Sequence, residues 1–151
     1  MLFIYLNTCI YLIPSWDIIY IFKKIINNFN IMENIAILAT LIVSISVIIV
    51  WVFRYDNIVQ EFKQYEISNL LRNIVGASKI SLSTILIIGL CYELKPLLIG
   101  ASVGMAFLMI CAQYFHIKVK NPWSKFVPSF VLLVLSLFIA AFNHGLFKEW
   151  I

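Results

Sequence analysis

Four apolar stretches, each long enough to cross a bilayer, occupy most of the chain after residue 32. A hydrocarbon core is about 30 Å thick and a helix rises about 1.5 Å per residue, so roughly 20 apolar residues are needed to span it. The sequence therefore predicts an all-α membrane protein, an antiparallel bundle of four transmembrane helices. The four stretches are Ile35–Phe53, Asn73–Tyr92, Pro96–Ile117 and Phe126–Phe147.

The composition supports the same class of protein. Hydrophobic residues make up 63% of the chain and charged residues only 12%, whereas a soluble domain carries about 25% charged residues. The formal charge is +4, but the basic residues are scattered over the connections between spans. This distribution fits contact with a lipid bilayer and its anionic headgroups, and it does not favour nucleic-acid binding.

Residues 1–31 differ from the rest of the chain and have two interpretations. The segment lacks the basic start and the small-residue cleavage site of a signal peptide. We favour Met32 as the natural start, with residues 1–31 an over-extended gene prediction. The alternative is an extra hydrophobic segment anchored by Lys23 and Lys24. In both cases the membrane domain comprises residues 32–151.

The basic residues also predict an orientation. Six of them lie in or beside the first and third connections, and two lie on the other side. The rule that cytoplasmic loops are rich in Lys and Arg therefore places loops 54–69 and 118–125 in the cytoplasm. The first group is Arg54, Lys63, Arg72, Lys118, Lys120 and Lys125; the second is Lys95 and Lys148.

The first connection has a pattern of its own. Apolar residues recur at helical spacing, and polar residues fall between them. This pattern predicts a short amphipathic helix in the headgroup region; an ordinary juxtamembrane loop is the alternative. The apolar positions are Ile58, Val59, Phe62 and Tyr65.

Five short motifs follow one another along the chain: Trp51–Arg54, Phe62–Tyr65, Leu71–Lys79, Glu93–Pro96 and Ala112–His116. Together they resemble the DoxX-like family of small four-helix membrane proteins, and the resemblance runs from about Trp51 to Ala141. It is carried by the order of the motifs more than by any one of them, because apolar spans resemble one another by chance.

The resemblance implies a four-helix bundle in the bacterial cytoplasmic (inner) membrane. Some members of the family serve as membrane subunits in quinone-linked sulfur oxidation, which implies a quinone as possible cofactor and a redox protein as possible partner. Numerous members carry an acidic residue three positions after the glycine that Gly76 matches. Here that position is Lys79, so chemistry inferred for the acidic members does not transfer.

Lys79 is the most informative polar residue of the sequence. A lysine within a span costs about 2.5–3.5 kcal/mol on insertion scales, so such residues usually face a bundle interior or a polar cavity. Helical spacing puts Gly76 on the same helix face as Lys79. A reversal of the chain near Leu94 places parts of the third span at the same depth in the membrane as this face. The resulting candidate pocket comprises Arg72, Lys79, Ser83, Met109 and His116.

Two interpretations of Lys79 remain open at this point. It can bind an anionic or quinone-like headgroup. It can instead extend toward the interface along its four-carbon stem and pair with Glu61 or Glu66. A copper site along Met105, Met109, Gln113 and His116 is not favoured, because one histidine supplies too few ligands. We expect no metal.

Gly100 and Gly104 form a GxxxG spacing on the third span, and Gly76 is a further candidate for close packing. Small residues four apart let helix backbones approach closely in lipid. The GxxxG pair predicts either contact within the bundle or the face of a possible homo-oligomer.

No catalytic residues are predicted, because no Ser/His/Asp set, carboxylate pair or phosphate loop can be assembled at one depth. The leading hypothesis is an accessory membrane subunit that binds a quinone or a redox partner, and it rests mainly on the family resemblance. A carrier for a small anion or a hydrophobic metabolite is the second hypothesis. A structural membrane protein without a ligand is the third.

Overall fold

The computed structural model describes residues 31–146, together with Ile19. Both interpretations of the N-terminal segment concern residues that lie, apart from Ile19 and Ile31, outside the described part, and they remain predictions. Phe147, the expected end of the fourth span, also lies outside it.

Five helices form within residues 31–146. The second, α2, is short, and the other four are long and apolar enough to cross a membrane. This confirms the predicted all-α bundle with a short helix in its first connection. The helices are α1 Ile31–Phe53, α2 Tyr55–Gln64, α3 Asn69–Cys91, α4 Lys95–Lys118 and α5 Trp123–His144.

The helices begin before the predicted apolar stretches, and two of them end before the predicted ends. At the start of α3 the Ser68 hydroxyl accepts a hydrogen bond from the Leu71 amide at 3.3 Å, so polar residues from Asn69 onward join the helix. The last helix ends at His144, three residues before the expected position. Gly145 follows with φ 91°, a left-handed conformation that commonly ends helices and that glycine adopts without steric cost.

The four long helices form a ring in which each contacts two others. α1 packs against α3 and α5, and α4 packs against the same two helices. The centre is filled by buried side chains, among them Val43, Leu86, Met105 and Ile139. Large apolar side chains remain exposed on the outside of the ring. In a chain with four membrane-spanning helices, these side chains face lipid.

Helix α2 lies at the end of the bundle where the first and third connections meet. Ile58 on its inner face is buried, whereas Asp56, Gln60 and Lys63 are exposed. The predicted amphipathic character is therefore present. Asn121, in the connection between α4 and α5, donates a hydrogen bond to the hydroxyl of Tyr65, the residue after α2, at 3.0 Å. Placement of this end in the cytoplasm stays a prediction.

The three candidate packing glycines have different surroundings. A Cβ built on Gly76 would overlap the ring of Trp51, so α3 and the Trp51 side chain of α1 are in close contact here. A Cβ on Gly104 would lie 3.2 Å from Leu82, whereas one on Gly100 would meet no atom within 4 Å. Gly76 and Gly104 therefore contact neighbouring helices inside the bundle, and Gly100 faces outward.

Candidate ligand-binding cavity

A cavity of about 670 Å³ opens at the α2 end of the bundle. All five helices contribute to its wall, which is mostly apolar and aromatic. α1 supplies Val47 and Trp51, and α5 supplies Pro128 and Leu132. The remaining apolar wall includes Ile58, Phe62, Val75, Phe107, Met109 and Phe115.

Lys79 lines this cavity from α3, ten residues after the helix begins and therefore about 15 Å along its axis. Leu71 and Val75 lie on the same strip of the helix and also line the cavity. Within residues 31–146, no carboxylate lies within the 4.0 Å that defines an ion pair with Lys79. The predicted pairing with Glu61 or Glu66 is therefore not formed in this structure.

Glu61 is held at the cavity mouth by another lysine. Its carboxylate lies 3.3 Å from the Lys125 ammonium, and both residues line the cavity. The two side chains are partly exposed, at 27% and 42%, so their pairing contributes at most about 1 kcal/mol to stability. The pairing nevertheless links Glu61 on α2 to Lys125 on α5. The negative charge of Glu61 also acts on Lys79, over a longer distance.

A hydrogen-bonded cluster joins α2, α4 and the connection after α4. The Tyr65 hydroxyl lies 3.0 Å from Nδ1 of His116, and the Asn121 side-chain nitrogen lies 3.0 Å from both of these atoms. Gln64 donates to Asn121 Oδ1 at 3.4 Å. Tyr65 and His116 are each only 8% exposed. The cluster fixes the orientation of the His116 ring at the cavity wall.

The Tyr65 phenol is held in its neutral form. Burial raises its pKa to about 12, and the negative charge of Glu61 acts in the same direction. The hydrogen bond from Asn121 opposes this shift, because it stabilises the phenolate. At neutral pH the hydroxyl therefore keeps its proton and can donate to His116.

This raised pKa predicts a loss of stability at high pH. The unfolded chain ionises Tyr65 near pH 10 and the folded chain only near pH 12. Between these values the folded state binds more protons, so its stability falls as the pH rises, by about 2–3 kcal/mol for this group. The Tyr65→Phe variant should lack that component. Unfolding free energies in detergent between pH 9 and 12 test this, and parallel pH curves for the two proteins would contradict it.

The structure brings together three of the five candidate pocket residues. Lys79, Met109 and His116 line the cavity, whereas Arg72 and Ser83 do not. Arg72 donates to the side chains of Asn69 and Asn73 at 3.1 and 3.3 Å, and its guanidinium lies 5.6 Å from the centre of the Tyr55 ring. Ser83 is fully buried, and its hydroxyl has no partner among the described residues.

Helical geometry explains this division. At about 100° per residue, Lys79 lies at one edge of the stripe that also contains Arg72, Gly76 and Ser83. Gly76, at the opposite edge, contacts Trp51 of α1. Only the Lys79 edge reaches the cavity. Helical spacing predicts the stripe, but it does not predict which edge of the stripe lines the cavity.

Two residues of the cluster were not found as site residues from the sequence. Helical periodicity predicts Tyr65 on an apolar helix face, and the Phe62–Tyr65 motif belongs to the family resemblance, but neither feature predicts a site residue. Nothing in the sequence distinguishes Asn121. Asn121 lies only five positions after His116, whereas the contacts of Tyr65 with His116 and Asn121 depend on how two connections meet, and no sequence spacing encodes that. As for metals, residues 31–146 contain no group of three His, Cys, Asp or Glu side chains placed to hold an ion.

Four apolar helices around a ligand-sized cavity define a multi-pass integral membrane protein with an internal pocket. The model of the DoxX-like family matches residues 35–139, and the chain belongs to this family. This confirms the resemblance found in the motifs between Trp51 and Ala141. No curated protein and no solved structure matches the chain.

Proposed function

We propose that this protein binds a quinone-type amphipathic molecule in the cavity and acts as an accessory subunit to a redox partner in the bacterial cytoplasmic membrane. The observation that carries the proposal is Lys79, a cation on the cavity wall with no ion pair among residues 31–146. A cation inside a bundle without a counter-charge marks a functional site by default.

The dimensions and chemistry of the cavity support a ligand of this kind. Pockets for small molecules measure about 300–1,000 Å³ and combine apolar walls with a few placed polar groups. The volume of about 670 Å³ lies within that range. A quinone carries two carbonyl acceptors on an apolar ring with an apolar tail. Lys79 can donate to a carbonyl, and Trp51, Phe62 and Phe115 can pack against the ring.

The charge of Lys79 also favours a second candidate function, the transport of a small organic anion. An ammonium attracts an anion more strongly than a neutral carbonyl, because the full charges interact. One chain has four spans, which is few for a carrier. Transport would therefore require the predicted homo-oligomer. Uptake by vesicles containing the purified protein separates a carrier from a binding subunit.

Filling the cavity tests the proposed binding. Ala112 lines the cavity, and Ala112→Phe occupies part of its volume without changing any charge. Ala77 lies on an exposed part of α3 outside this cavity, so Ala77→Phe is the matched control. We expect native mass spectrometry to detect a bound short-tailed benzoquinone on the wild type and on Ala77→Phe, with at least about tenfold less on Ala112→Phe.

The outcomes of this experiment are distinct. Equal quinone binding by all three proteins would place the ligand outside the cavity and overturn the proposal. Binding of a long-chain sulfonate but not of a quinone, again lost in Ala112→Phe, would overturn the quinone assignment and favour the anion function.

A further inference from the structure

We propose that Arg72 and the first turn of α3 bind the phosphate group of an anionic membrane lipid. This site is separate from the cavity, which Arg72 does not line, and it does not depend on the proposed function. Arg72 is the central residue, because its charge is buried without a counter-charge among residues 31–146.

The surroundings of Arg72 are polar but neutral. The side chain is 8% exposed and cannot lose its charge. Its terminal nitrogens donate to Asn69 Oδ1 at 3.1 Å and to Asn73 Oδ1 at 3.3 Å, and the guanidinium lies 5.6 Å from the centre of the Tyr55 ring. Within residues 31–146, no carboxylate lies within the 4.0 Å that defines an ion pair with Arg72. Buried cations are normally paired, so this charge is matched to an anion that these residues do not supply.

The start of α3 adds hydrogen-bond donors around the charge. Because a guanidinium can only donate, the side-chain oxygens of Asn69 and Asn73 face Arg72, and their NH₂ groups remain free to donate to a ligand. Both asparagines are exposed. The backbone amides of Asn69 and Leu70 begin the helix and have no carbonyl partner within it. The positive end of the helix dipole adds to the attraction for an anion.

The length of α3 brings this corner of the bundle to the level of the lipid headgroups. The helix has 23 residues, or about 35 Å at about 1.5 Å per residue, whereas the hydrocarbon core is about 30 Å thick. Its first turn therefore reaches the headgroup region, where lipid phosphates lie. Arg54 precedes Tyr55 and adds an exposed cation at the same corner. Basic sites between spanning helices bind anionic headgroups.

A phosphate group fits the donors at this corner. Its oxygens accept several hydrogen bonds, and bonds between a guanidinium and a phosphate are strengthened by their charges. Two N–H groups of Arg72 bond to the asparagines and Nε is buried, so one N–H on each terminal nitrogen remains for a ligand. The quaternary amine of a zwitterionic lipid would be repelled by Arg54 and Arg72. We therefore expect preference for a lipid with a net negative charge.

Three substitutions separate this site from a general attraction of anionic lipids to basic residues. Arg72→Met should lower the affinity for phosphatidylglycerol by at least about tenfold, because the buried charge is lost. Asn73→Leu keeps that charge, removes one exposed donor and should lower the affinity about fivefold. Lys118→Met is the matched control, since it removes an exposed cation at the same end of the bundle. In about 0.15 M salt it should lower the affinity at most about twofold.

Two measurements on the full-length protein test these expectations. Native mass spectrometry from micelles with equal amounts of phosphatidylglycerol and phosphatidylcholine gives the relative affinities. Thermal unfolding with and without phosphatidylglycerol gives the stabilisation by lipid. At a lipid concentration of about 100 Kd, the unfolding temperature of the wild type should rise by about 5 °C, and that of Arg72→Met should rise much less. Each protein is compared with itself, so a variant with altered basal stability still reports on binding.

The outcomes are distinct. Equal binding of both lipids by the wild type, or equal losses in Arg72→Met and Lys118→Met, would overturn this inference. A full shift of the unfolding temperature with inorganic phosphate alone would overturn the assignment to a lipid. Quinone affinity should be unchanged in Arg72→Met, because Arg72 does not line the cavity. The proposed function is therefore tested independently.

Discussion

Lys79→Met is expected to lower quinone affinity by at least about tenfold and, at the same time, to make the protein more stable. Lys79 is a cation on the cavity wall without an ion pair among residues 31–146, and a lysine in a span costs about 2.5–3.5 kcal/mol on insertion scales. Methionine has a similar length, carries no charge and adapts to irregular packing. The substitution should therefore raise the stability of the protein and lower its quinone affinity.

Lys118→Met is the matched control for this prediction. Lys118 lies in the last turn of α4, is exposed and does not line the cavity. Its substitution should leave the quinone affinity and the stability nearly unchanged. Affinity is measured by calorimetric titration, and stability by the unfolding free energy in detergent micelles. A Lys79→Met protein that is less stable than the wild type would show that the lysine stabilises the fold and would argue against a ligand role.

The second large effect is expected at Gly76. Because a Cβ at this position overlaps the Trp51 ring, Gly76→Ala forces the ring to move or the two helices to separate. Overpacking of this kind costs about 1–3 kcal/mol. Trp51 is 4% exposed and also lines the cavity, so a displaced ring should also weaken ligand binding. The free energy of unfolding and the quinone affinity should fall together.

Gly100→Ala provides the control, since it has the same chemistry at a position with no atom within 4 Å. It should be neutral or stabilising, because alanine favours a helix over glycine by about 1 kcal/mol. In the Gly76→Ala background, Trp51→Phe should recover part of the lost stability by making room for the new methyl group. Equal effects of alanine at Gly76 and Gly100 would contradict the close contact between α1 and α3.

The fold was largely predictable because lipid leaves few alternatives. Uninterrupted apolar stretches must satisfy their backbone hydrogen bonds internally, so each one forms a helix. The end of each helix was less predictable, because local hydrogen bonds such as that of Ser68 extend a helix beyond its apolar part. The ring order of the helices depends on packing between surfaces of similar composition, and the apolar pattern does not encode it.

Three residues of the candidate site were predictable, because Lys79 is unusual for its surroundings and the matching depths of two spans then add Met109 and His116. Lys79 stands out because a charge in a span is rare. Tyr65 and Asn121 do not stand out, since an aromatic residue or an amide near an interface is ordinary. Their importance comes from contacts across 51 and 56 positions of sequence, with His116 and with each other. Such contacts become visible only once the two connections are placed together.

The participation of every helix in the cavity wall has a consequence for biogenesis. α5 supplies Lys125, Pro128 and Leu132 to the wall, and it is synthesised after the other four. A nascent chain that has inserted only α1, α3 and α4 therefore lacks one side of the cavity, with Lys79 not yet enclosed. The cavity wall is therefore formed only after α5 has inserted, and the proposed ligand binding would require all five helices to be in place.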